Sequence, residues 1–186
     1  MAQSNIPSTG VWGTITTLLN NMFTELYGRA GGATYTDGEF TEASPLVLVA
    51  DVVTPLPNDK STFVESQLPV DLTSLYDGAK ILATEGDILS ITVSLSLKPK
   101  VTAADQVEIW IDTTAGAGTP AIAANLLKGI FAFKQAVGIV RPILYTVNVL
   151  ASDLWAINGG RLKIKSNGAS DIYGIYYTIS RVSKAR

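Results

Sequence analysis

Neither cysteine nor histidine occurs anywhere in the 186 residues. Without cysteine there is no disulfide framework, no thiolate zinc site and no thiol nucleophile. Without histidine the commonest general base and the commonest transition-metal ligand are missing too. Most familiar catalytic constellations are thereby excluded. Charge is scarce as well, at 16% of residues against about a quarter in an ordinary soluble domain. A surface this poor in charge points either to extensive cover by partners or to a sheet face coated with Ser and Thr. The net charge is −2 and the basic residues are dispersed, so no electrostatic footprint for a nucleic-acid backbone exists. Arg181, Lys184 and Arg186 read as a solvated terminus. No apolar run approaches the roughly 18–20 residues of a spanning helix, and residues 1–10 have neither a basic nor an apolar leader region. Neither membrane contact nor a secretory leader is expected.

What the chain does have is 47% hydrophobic residues, enough for one well-filled core with an appendage. The appendage comes first. Residues 1–10 read as a leader able to order against a neighbour, and residues 12–27 read as a helix with Gly28 just past its end. Within it, Ile15, Leu19, Met22 and Leu26 are spaced four, three and four apart. With Leu19 and Leu26 at the a positions and Ile15 and Met22 at d, this short heptad seam leans toward three or four strands rather than two, and of these a homotrimer is inferred. Gly13 and four threonines make the helix marginal alone, so packing must hold it. It either joins several chains or folds back on its own body. Residues 1–28 are thus read as leader and oligomerising helix, 29–44 as a turn-rich linker, and 45–186 as a β body.

In the body, residues 46–53 form a continuous apolar run between prolines, as in a strand covered on both faces. From Leu89 to Leu97 every second residue is aliphatic and the rest are Ser or Thr, a period of two that no helix shows. Val107, Ile109 and Ile111 repeat the pattern, and 121–133, 139–150, 161–165 and 171–182 supply further strands, the last two separated by the turn dipeptide Asn167-Gly168. Residues 151–157 read as one helical turn capped by Ser152 or Asp153. Roughly eight such strands after one short helix predict a mainly β fold, an antiparallel jelly-roll β-sandwich.

Chemistry is hard to find. Glu108 and Asp112 share a strand face with Trp110 between them, but at ~3.3 Å per residue their Cα atoms lie about 13 Å apart, too far for a glycosidase pair. No phosphate-binding glycine loop, nucleophile elbow or calcium loop is present. No catalytic residue, metal or cofactor is assigned. Trp110, Trp155, Tyr35 and Tyr76 serve either as sugar platforms or as packing. In the last strand Tyr173, Ile175, Tyr177 and Ile179 fall on one face, with Ile172, Gly174, Tyr176 and Thr178 on the other. A strand apolar on both sides is buried on both sides. Either one face serves a subunit contact, enlisting Tyr173, Tyr176 and Tyr177, or the strand is central in a thick core.

The segment from Ile15 to Tyr27, with its Asn-Asn-Met-Phe-Thr-Glu-Leu-Tyr end, resembles a helical stretch near the start of many tailed-bacteriophage fibre and virion surface proteins. The β body looks like the TNF-like jelly-roll modules by which such proteins trimerise. The resemblance implies a non-enzymatic homotrimer on the virion surface. Its N-terminal segment would dock on the major capsid protein or another virion component, and its head would face outward. Two roles fit: a capsid decoration (cement or head-fibre) protein, favoured by the short shaft, or a short tail fibre that recognises a host surface glycan or protein.

Overall fold

The computed structural model describes residues 11–27, 30–69, 71–114, 128–134 and 137–183, with side chains in the helix described from 14 to 22. The leader, the Lys184 and Arg186 end, and the side chain of Leu26 lie outside the described residues. So does most of the strand expected over 121–133.

Helix α1 (Val11–Tyr27) leads into β1 (Gly31–Thr36), β2 (Leu46–Leu48), β3 (Thr54–Pro55), β4 (Thr62–Gln67), β5 (Ile88–Pro99), β6 (Gln106–Asp112), β7 (Gly129–Ala132) and β8 (Arg141–Leu150). A short α2 (Asp153–Asn158) and strands β9 (Arg161–Ser166) and β10 (Ser170–Ser183) complete the chain. All pairings are antiparallel. One sheet has six strands in the order β4-β1-β10-β5-β8, with β2 also on β10, and the other runs β3-β9-β6-β7. The chain passes between the sheets as a jelly roll does, and its inward aliphatic residues fill the space between them.

The alternation of β5 sends Leu89, Ile91, Val93, Leu95 and Leu97 inward, where the core also takes Val107, Ile109 and Ile111 of β6 and Leu162 and Ile164 of β9. Helix α2 starts where Ser152 accepts the Trp155 backbone N–H, and the indole is buried with its Nε1–H donating to the Ile81 carbonyl at 3.0 Å.

Several expectations are corrected. The supposed linker 29–44 holds β1, paired with β10 on one side and β4 on the other. Its glycines reflect close approach rather than looseness, because a Cβ on Gly31 would stand 2.2 Å from the Gln67 carbonyl oxygen. The apolar run 46–53 is a strand only as far as Leu48. Asp51 turns the backbone at φ 60°, and Val47, Val49, Val52 and Val53 are exposed. Asn167-Gly168 does not close a hairpin, because β9 and β10 belong to different sheets. Asn167 instead accepts the Asp105 and Gln106 N–H groups through Oδ1. Arg181, expected in solvent, is fully buried between Asp71 and Asp87.

A layer of tyrosines closes one part of the core. Tyr76 lies 5.3 Å from the Tyr35 ring and 5.5 Å edge-on to Tyr177, and the hydroxyls donate to Glu65 Oε1 (Tyr35), the Asn58 carbonyl (Tyr76) and the Leu56 carbonyl (Tyr177). Burial, aided by the Glu65 bond, pushes the Tyr35 phenol up to about 12, and burial raises Tyr76, Tyr145 and Tyr177 as well. The unfolded chain releases these protons near pH 10 while the folded chain keeps them, so stability is intact below pH 10 and falls as pH rises toward 12. Urea midpoints measured from pH 8 to 11 should stay level and then drop above pH 10. A flat profile throughout would contradict the phenols' burial.

Candidate interaction surface

Because β5 alternates, every residue it does not bury lies on the outer face of the six-stranded sheet. Register carries that face across the neighbours. Thr36, Tyr176, Ser94 and Leu144 form one line, Thr34, Thr178, Thr92 and Thr146 the next, and Gly32, Ser180, Ser90 and Asn148 a third. Strand β4 extends these lines with Thr62, Val64 and Gln67. None of these residues is charged. The Thr92 and Thr146 hydroxyls sit 3.1 Å apart, so part of the polar complement is satisfied within the sheet. A shallow hollow of about 260 Å³ opens between β1, β4 and β10, bounded by Gly32, Thr34, Val64 and Ser180.

An antiparallel strand with one solvated face alternates core residues with polar ones, as β5 does. Among the described residues, charge enters this face only at its far end, where Lys98 pairs with Asp171; the half nearer β1, uncharged and dotted with Tyr and Leu, has the makeup of an interface centre, where charged residues are depleted and aromatics enriched. It can pack against a like face without stranding an ion.

The β10 tyrosines divide differently from the period-two expectation. Gly174, at φ +62°, sits in a bulge between Tyr173 and Tyr176. The extra residue shifts the phase, so Tyr173 and Tyr176 share the outer face while Ile172, Ile175 and Tyr177 point inward. Tyr177 is therefore a core residue and not part of a subunit contact. The bulge is closed by the segment after β1, where Asp37 N–H donates to the Ile175 carbonyl and Gly174 N–H to the Phe40 carbonyl. Along α1, Ile15, Leu18, Leu19 and Met22 are exposed to 41–58%. The described seam residues, Ile15, Leu19 and Met22, do not pack on the chain's own β body.

The remaining candidates are taken up by structure. Glu108 pairs with Lys128 at 2.9 Å, and Asp112 accepts the N–H and hydroxyl of Thr114. All four aromatic side chains weighed as sugar platforms, Trp110, Trp155, Tyr35 and Tyr76, are buried. The threonine line was not anticipated. Its signal was the unbroken Ser/Thr alternation of β5, but its extent over four strands follows only from register.

No family model matches the chain, and no curated protein matches it. Solved structures do. The Eiger TNF of S. frugiperda superposes with a TM-score of 0.53 at 10% identity, over 85% of this chain and 96% of that one. The PRD1 vertex protein superposes with a TM-score of 0.44 at 11% identity, over 83% of this chain and 73% of that one. The first likeness establishes the fold, a TNF-like jelly roll, and nothing about activity.

Proposed function

We propose that the chain is a homotrimeric, non-enzymatic structural protein of a bacteriophage particle, where it decorates the capsid surface. The observation that carries this reading is the uncharged half of the outer sheet face nearest β1, continuous there with a helix whose seam residues Ile15, Leu19 and Met22 are exposed. Three copies meeting through that face would bring their helices together at the same end. The trimer would bury apolar area worth ~25 cal/mol per Å². The leader and helix would then grip the particle while the head faces away from it.

Replacing Leu19 and Leu26 by Asp tests the assembly. Light scattering of the native chain should give three times the 19.7 kDa chain mass, and the double variant should fall toward the single-chain mass with its β-sheet circular dichroism intact. A native mass equal to one chain would reject the trimer. Electron microscopy of particles labelled for this chain assigns it to shell or tail.

A second reading, a short tail fibre that touches a host surface, draws on the loops at the end of the sandwich opposite β1's start. There Val49, Val52, Val53, Val101, Ile139 and Val140 are all exposed on loops tied by main-chain bonds such as Gly138 N–H to the Pro99 carbonyl and Asp51 N–H to the Ser166 carbonyl. An aliphatic tip suits a protein partner, while a glycan would call for exposed aromatic platforms, and Trp110, Trp155, Tyr35 and Tyr76 are all buried.

A further inference from the structure

The outer sheet face does not end evenly. Past the line of Ser180, Ser90 and Asn148 lies an apolar cluster: Ile88 on β5 in direct register with Leu150 on β8, and beside Ile88 the exposed Val182, which bulges from β10 between Arg181, paired with Leu89, and Ser183, paired with Ile88. These three are exposed to between 39 and 65%. Neighbouring strands stand ~4.8 Å apart, so the row is about 10 Å long. It lies where β1 begins, because Gly31 pairs with Arg181 and Ala30 comes next. Three peptide steps of ~3.8 Å separate Ala30 from Tyr27, so the end of α1 is held within about 11 Å of Ala30.

The helix brings a matching surface. Leu18 is apolar and exposed yet belongs to neither the a nor the d positions of the heptad seam, so a bundle of helices does not need it. From Ile15 to Met22 the stripe runs about 10 Å at ~1.5 Å per residue, the length of the row. Neither surface carries a charge, and neither is covered by the other within one chain. We propose that the Val182, Ile88 and Leu150 row is the seat for α1 of a second copy of this chain, with Leu18 entering the row beside Leu150. Each head is thus capped by its neighbour's helix. The inference rests on the trimeric reading and adds to it which surfaces meet.

A chain without cysteine allows a clean test. Leu18→Cys and Leu150→Cys, made singly and together in the full chain, are oxidised with copper phenanthroline and run on non-reducing gels, with Leu18→Cys/Ile88→Cys as a second pair. All three sites are exposed in the single chain, so the fold tolerates them. Covalent dimers and trimers from the paired variants only are the expected result. A crosslink confined within one chain, multimers from Leu18→Cys alone, or no crosslink in a preparation of trimeric mass would overturn the seat and leave the trimer standing. A single-chain mass before oxidation would overturn both.

Discussion

Arg181→Ala should destabilise the β body by about 3–5 kcal/mol, lowering the urea midpoint by roughly 2 M at fixed protein concentration. The size follows from what the guanidinium leaves behind. Its Nη1 lies 3.6 Å from Asp87 Oδ2, both side chains are fully buried, and it also forms a two-pronged contact with the half-exposed Asp71. Asp87 accepts the Thr84 N–H through Oδ2, but its Oδ1 is without a hydrogen-bond partner. Removing the arginine strands a carboxylate in the core with no countercharge on that side. Arg181→Met combined with Asp87→Asn should recover much of the loss, since a buried ion pair adds little over well-packed neutral groups. A loss under about 1 kcal/mol for the alanine variant would mean that water reaches Asp87.

Trp155→Ala should cost a similar ~3–5 kcal/mol, by a different route. The indole is almost wholly enclosed and anchors α2 to Ile81 through its N–H, while Ile81 exchanges backbone hydrogen bonds with Gly160. Alanine leaves a cavity and takes one of two donors from the Ile81 carbonyl, which keeps only the Gly160 N–H. Trp155→Phe keeps most of the packing and loses the hydrogen bond, so its cost should be nearer 1–2 kcal/mol. Chemical denaturation of the two variants side by side separates the terms. Equal losses would show that the hydrogen bond, not the ring volume, holds α2 in place.

The sequence made the strand class legible wherever one face is buried and the other is not. Leu89 to Leu97 could be read residue by residue, and Ser152 marked the start of α2, because both signals are local. β1 was missed because its glycines are demanded by Gln67 and Ser180, contacts far away in sequence. Arg181 was misread for the same reason: its acidic partners sit about a hundred residues earlier. The phase error at Ile172 and Tyr173 came from applying an unbroken period to a strand that contains Gly174, although a glycine inside a strand pattern is itself the mark of a bulge. On the interaction surface, the spacing of Ile15, Leu19 and Met22 sufficed to place them on one exposed stripe. The threonine line and the apolar row needed the order β1-β10-β5-β8, which no local pattern encodes.

That order also governs how the polypeptide comes to be folded. β10 is the last of the described strands to leave the ribosome yet lies between β1, the first, and β5. Until it is synthesised, both of those earlier segments carry unpaired amide rims, and no smaller subset of strands can close the layer. Such distant pairings put maturation in the slow regime typical of all-β proteins, milliseconds to seconds. During that interval the nascent molecule is open to mispairing with its siblings, a hazard that grows with the rate at which copies are made in one cell.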